Sequence, residues 1–238
     1  MPSGLKKALC IITAGLISLS VSAESWPQYS IQYDVKRDGK TRGQAQRTLT
    51  QSDSGLYELT ADFTASILFY EIKRRETSRF SLSGDATLPL IYRMTDDRTF
   101  KDKKVTEFTF DYKKGVVKTN GKDAPVPFAL SDHVFDPLLV YDVLIEKVRE
   151  GLRDDISLRV FDDGKIEAFD FIFEGEESVS TPMGDVNTLH FTRIRKSSTR
   201  RTSMWLSPEY QYLPVQLEQQ KEGEEQARLV ATKVSMGK

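Results

Sequence analysis

Two histidines bound the acid–base chemistry open to this chain of 238 residues. His133 follows Ser131 and Asp132, three residues before Asp136, and His190 sits between Leu189 and Phe191 in what reads as a strand. A Ser-His-Asp relay needs a nucleophile on a strained elbow and a carboxylate that orients the imidazole. No Gly-x-Ser-x-Gly occurs, so His133 is expected to serve its loop. Asp132, His133 and Asp136 are ligand types that suit a divalent ion, but a metal site takes three or four converging ligands with outer support. Asp136 is also the natural cap of the helix that follows. No catalytic residue, metal or cofactor is assigned, and the chain is read as a non-enzyme.

Two other groups could bind. Arg193, Arg195, Arg200 and Arg201, with Lys196, flank a turn expected near Ser197-Ser198-Thr199. Guanidinium forks match phosphate, which makes these arginines a candidate anion contact; the competing reading is a solvated hairpin tip whose charges discourage edge pairing. Lys73, Arg74, Arg75 and Arg79 form a second such run. The apolar group is larger. Ile67-Leu68-Phe69-Tyr70, Phe108, Phe110, Phe169, Phe171, Phe173, Trp205 and Tyr212 exceed what one side of a thin sheet hides. Phe108, Phe110, Phe169, Phe171, Phe173 and Trp205 are the candidate lining of an apolar ligand space, unless a helix fills that space.

The elements that must position these residues are mostly strands. Tyr29, Ile31, Tyr33 and Val35 alternate with polar residues before the turn Asp38-Gly39, and period two returns at Tyr57–Ala65, Ser78–Leu82, Leu90–Met94 and Phe108–Tyr112. Val116 and Val117 precede Asn120-Gly121. Further strands are expected at Ile156–Val160, Phe169–Phe173, Val186–Arg195, Ser203–Leu206, Val215–Gln219 and Arg228–Val234. One stretch has helical period: Asp136 as N-cap, Pro137 in the first turn, Leu138, Tyr141, Ile145 and Val148 on one face, and Gly151 at the end. About a dozen strands and one helix from about Pro137 to Glu150 predict a mainly β protein. The expected fold is an antiparallel curved sheet or open β-barrel with one packed α-helix, because so many strands rarely stay flat.

Residues 1–23 are laid out as a secretory signal peptide, with Lys6 and Lys7, an apolar run from Ala8 to Leu19, and Val21-Ser22-Ala23. Cleavage is expected after Ala23, leaving a single domain from 24 to 238 in the periplasm, without its only cysteine, Cys10, and without a transmembrane segment. Removing two of the 34 basic residues leaves 32 against 35 acidic ones, a net charge of −3. That balance excludes a field for non-specific nucleic-acid binding.

Several short motifs occur in order: Tyr29-Ser30-Ile31-Gln32-Tyr33 with Gly43, Leu88-Pro89, Phe135-Asp136-Pro137-Leu138-Leu139, Thr181-Pro182-Met183-Gly184-Asp185-Val186-Asn187-Thr188, Trp205-Leu206-Ser207-Pro208 and Leu213-Pro214-Val215-Gln216-Leu217. In these the chain resembles the exported bacterial proteins grouped as domain of unknown function family 3108. The resemblance implies a mainly β envelope protein and transfers no catalytic residue. The expected function is a non-enzymatic binding or carrier module for an apolar or lipid-like envelope ligand; the alternative is a structural or protein-interaction module with a fully packed core, whose partner is an envelope protein.

Overall fold

The structure, a computed structural model, describes residues 25–121, 124–196 and 198–237. The expected signal segment with its cleavage site, Cys10, and Ser197 of the expected arginine-flanked turn lie outside the described residues.

The first half of the chain forms β1 (Tyr29–Arg37), β2 (Lys40–Gln51), β3 (Tyr57–Ile67), β4 (Tyr70–Ser83), β5 (Ala86–Arg98), β6 (Lys104–Asp111), β7 (Val116–Thr119) and β8 (Val126–Pro127). The helix α1 (Leu139–Arg149) follows. The second half forms β9 (Ile156–Asp162), β10 (Lys165–Thr181), β11 (Gly184–Arg195), β12 (Ser198–Ser207), β13 (Leu213–Lys221) and β14 (Glu224–Met236). All fourteen strands join one antiparallel sheet in the order β8 to β1, then β14 back to β9. Each strand pairs with its sequence neighbour, and β1 pairs with β14 across the middle. The two edges, β8 and β9, are therefore consecutive in sequence, and α1 lies in the connection between them.

That connection also covers an edge. The Phe135 N–H donates to the Arg159 carbonyl at 2.9 Å, and the Phe161 N–H donates to the Phe135 carbonyl at 2.8 Å, so β9 has no open ladder there. Phe108 on β6 meets Phe161 on β9 edge to face at 4.8 Å. Strands near opposite ends of the sheet thus come together, and the sheet curls around its own contents. Gly43 permits part of this curvature: a Cβ there would lie 1.9 Å from the Thr64 carbonyl oxygen, and the β1–β2 register shifts beside it.

Helix α1 is set by both of its ends. The Asp136 Oδ1 accepts the N–H groups of Leu138 at 3.0 Å and Leu139 at 2.8 Å, and the Asp136 carbonyl accepts from Val140. At the other end Gly151 is left-handed with φ 107°, the Gly151 N–H reaches the Val148 carbonyl, and the Leu152 N–H reaches that of Lys147. This is a Schellman ending, which satisfies the last free carbonyls. Leu139, Val140, Val143, Leu144, Ile145 and Val148 are buried against the inner face of the sheet. Two strands are missing from the expectation: the two-residue β8, and β2, which has a polar residue at nearly every position and so lacks an apolar alternation. Ser198 and Thr199, expected in a turn, instead begin β12.

Candidate functional site

The interior beneath α1 holds a polar group built from the helix and two strands. Asp142 is buried on the helix between Tyr141 and Val143. Its Oδ1 accepts the Tyr29 hydroxyl at 2.5 Å, and its Oδ2 pairs with the Arg47 guanidinium. Arg47 Nε also donates to the Tyr29 oxygen at 3.0 Å, and Arg47 Nη2 donates to the Leu138 carbonyl at 3.2 Å. Burial pushes the Tyr29 hydroxyl well above its ordinary pKa despite the nearby guanidinium. A second anchor lies at the helix start, where Ser78 Oγ on β4 donates to Asp136 Oδ2 at 2.5 Å. Burial raises the Asp136 carboxyl to about 6. Asp142 is the one charge within Leu138–Ile145, a signal readable in the sequence; its partner Arg47 lies on the strand that the apolar pattern passes over.

The phenylalanines offered as a ligand lining are core side chains. Phe108 and Phe110 on β6, and Phe169 and Phe171 on β10, are buried. Phe171 meets Tyr141 of the helix edge to face at 5.9 Å, and Phe108 stacks on Tyr92 at 5.2 Å. Phe173 is partly buried against Phe191 at 5.0 Å. Leu139, Leu144 and Ile145 of the helix belong to the same buried core. Trp205 is buried as well, but on the other side of its strand. It pairs with His190, whereas its neighbour Met204 pairs with Phe191, so the pleat turns Trp205 to the opposite face.

On that outer face Glu177 Oε1 accepts Trp205 Nε1–H at 2.7 Å and lies 2.8 Å from His190 Nδ1. The imidazole stacks on the indole at 4.4 Å, and Thr192 Oγ1 lies 3.4 Å from His190 Nε2. Carboxylate, imidazole and hydroxyl stand in the order of a nucleophile-activating relay. Acyl transfer further needs free donors aimed at the developing oxyanion. Strand β11 is paired on both sides, so its backbone N–H groups are committed to the ladder, and Thr192 itself is buried. The arrangement fixes the ring packing across three strands. Its members come from β10, β11 and β12, and no short motif links them.

The four arginines of the anion contact do not converge. Arg193 is buried on the inner face, where it donates to Thr202 Oγ1 at 3.0 Å and lies 4.7 Å over the Phe169 ring. Arg195 pairs with Asp162 at 2.5 Å and Glu167 at 3.2 Å. Cation–π packing and carboxylates thus occupy both. Arg200 donates to Gln219 at 2.8 Å, and Arg200 and Arg201 are exposed. A groove of about 590 Å³ runs past Arg195, Lys196, Arg200 and Arg201, with Asp170 and Glu222 also on its walls. The run at Lys73, Arg74, Arg75 and Arg79 is matched by Glu71, Asp96, Asp62 and Glu58 respectively. Asp132 turns to Arg159 at 2.6 Å while Asp136 turns into the helix, so the two carboxylates beside His133 also diverge.

The chain matches, over residues 28–229, the family described as "Protein of unknown function (DUF3108)". The chain belongs to this family. No curated protein matches it. Among solved structures this family member is similar to a beta-barrel-like protein of domain of unknown function DUF1849 from Brucella abortus, with a TM-score of 0.61, 14% identity, and coverage of 89% of this chain and 98% of that one. At that identity the likeness shows fold alone. Weaker similarities are to a DUF1329 family protein from Desulfovibrio piger (TM-score 0.23, 13% identity, 83% and 67% covered) and to Aeromonas veronii immune modulator A (TM-score 0.26, 9% identity, 85% and 75% covered). Neither carries an argument. Among the described residues no helix is long and apolar enough to cross a membrane.

Proposed function

We propose that this DUF3108 protein is an exported, non-enzymatic interaction module of the cell envelope, a curved sheet filled by its own helix that works through its surface. The observation that carries this reading is the seating of α1, with six apolar residues buried against the sheet and Asp142 paired to Arg47 beneath it. A carrier of an apolar ligand would need that same volume to be vacant or vacated. Export is supported by the layout of residues 1–23 alone.

A fluorescent fatty-acid probe titrated into the purified mature protein tests the filled interior. No saturable binding is expected. Saturable binding at one probe per protein, abolished by substitutions on the inner face such as Phe171→Ser, would return the carrier reading. N-terminal sequencing of the exported protein should begin at Glu24; an intact amino terminus retained in the membrane fraction would remove the export part.

A further inference from the structure

Two neighbouring hairpins place large apolar side chains in solvent at one end of the sheet. Leu68 and Phe69 form the β3–β4 turn and are 92% and 90% exposed; Phe100 lies in the β5–β6 loop and is 89% exposed. Monomer folding does not call for them. The loops are stitched to one another: Thr99 Oγ1 accepts the Glu71 N–H at 2.9 Å, and the Thr99 N–H donates to the Glu71 carbonyl at 3.0 Å. The apolar residues therefore stand on one rigid ridge.

Their backbone is also unusual. Leu68 has φ 56° and Phe100 has φ 63°, in the left-handed region that favours glycine. Other two-residue turns of the same sheet put only polar residues or glycine in this region: Asp38, Asp163 and Glu222 also have positive φ, between 50° and 55°. Asp38-Gly39, Asp163-Gly164 and Glu222-Gly223 end on glycine, and Gly84 holds in its turn the place that Leu68 holds here. Tyr212, at φ 59°, turns its side chain back onto Arg153; Leu68 and Phe100 carry the same backbone strain with their side chains in water, which points to a use outside the folded chain.

Lys101, Lys103 and Lys104 follow Phe100 directly, with Asp102 among them. All three lysines are exposed, and none has an ion-pair partner among the described residues. We infer that this ridge docks the protein on an anionic phospholipid bilayer, with Leu68, Phe69 and Phe100 entering the acyl boundary and the three lysines meeting headgroup phosphates. Projecting tips suit a soft bilayer better than a protein, since a stable protein interface buries about 800 Å² on each side and these three residues stand on two narrow hairpin ends. Apolar insertion and lysine attraction then add, as they do for other surface-bound elements. The ridge keeps its geometry whatever fills the sheet; only its setting in the envelope rests on the proposed function.

Sedimentation with vesicles of phosphatidylcholine, with and without phosphatidylglycerol, tests this. The mature protein should partition onto the anionic vesicles on the order of tenfold more than onto the neutral ones, from its lysines. A Leu68→Gly, Phe69→Ser, Phe100→Ser variant should lose binding on the order of a hundredfold, while far-UV circular dichroism and thermal unfolding report that it is folded. A Phe69→Trp variant should show blue-shifted emission on anionic vesicles. Absence of binding at low salt, or equal binding by the apolar triple variant, overturns the inference. Such a failure, alongside absence of fatty-acid binding, would leave the interaction module standing with a protein as its partner.

Discussion

The ground beneath α1 and the β3–β4 and β5–β6 tips invert the usual distribution of side chains in opposite senses. Under the helix, Arg47, Asp142, Tyr29, Ser78 and Asp136 are polar groups held inside. At the tips, Leu68, Phe69 and Phe100 are apolar groups held outside. Charged residues are almost never buried unless paired. The inner set obeys that condition, because the chain itself supplies its partners. The outer set has none among the described residues. Internal polarity here fixes where a helix sits on a sheet, whereas external apolarity points to something beyond the molecule.

The strongest way to break the comparison is to remove one inner partner. Arg47→Ala leaves Asp142 buried without its counterion and should cost about 3 to 5 kcal/mol, read from urea unfolding. Replacing both partners, as in Arg47→Met with Asp142→Leu, should recover most of that loss, because two apolar groups need no pairing. If the single substitution costs less than about 1 kcal/mol, the pair does not hold the helix and the contrast with the tips loses its inner half.

A smaller effect is expected at the helix start. Asp136→Ala removes the acceptor for two N–H groups and leaves Ser78 Oγ buried without its partner, so a loss of about 1 to 3 kcal/mol is expected. Asp136→Asn keeps a carbonyl oxygen for the backbone N–H groups and should cost less. Equal losses in the two would show that Asp136 acts through its charge.

That charge also gives a pH dependence. Burial raises Asp136 from 3.8 to about 6, and burial raises Glu146 from 4.5 to about 7 despite its pairing with Arg149. Over these intervals the folded protein holds more protons than the unfolded one, so the contribution of both groups to stability falls as pH rises from about 4 to about 7. Asp96 works in the other direction. Hydrogen bonds from Arg98, and then from Arg74, lower it to about 2, so its contribution is present above about 4 and is lost as pH falls toward 2. Urea midpoints measured in steps of pH should shift accordingly, and Asp136→Asn should flatten the part near pH 5. An unchanged slope in that variant would mean that Asp136 titrates as an ordinary carboxylate.

The sequence exposed the sheet and helix better than the contacts between them. Alternation at Tyr29–Val35 and the Asp136, Pro137 and Gly151 signals are local, and the strands and helix ends follow them. Strand β2 escaped because its inward positions include Arg47 and Gly43, which break an apolar pattern for reasons that lie on α1 and β3. The arginines at 193, 195, 200 and 201 are close in sequence, but the pleat and a register shift send them to different surroundings. Glu177, His190 and Trp205 meet only through pairing across three strands. The run Ile67-Leu68-Phe69-Tyr70 was visible as apolar, and its conversion into an exposed turn follows from the pairing of Ile67 with Tyr70.

The mildest substitution tests the outer half of the comparison. Leu68→Gly removes a side chain that is 92% exposed and relieves a φ of 56°, which costs a leucine about 1 to 2 kcal/mol and a glycine almost nothing. Against that gain, glycine loses more chain entropy on folding, by about 0.5 to 1 kcal/mol. The net should lie between no change and about 1 kcal/mol of stabilisation, or a rise of at most about 4 °C in melting temperature for a chain of this size. The opposite exchange at the matching position, Gly84→Leu, should be destabilising because it installs the same strain. If Leu68→Gly lowers the melting temperature clearly, then Leu68 has packing in the monomer that its exposure does not reveal. The apolar tip would then belong to the fold, as the buried ion pair does.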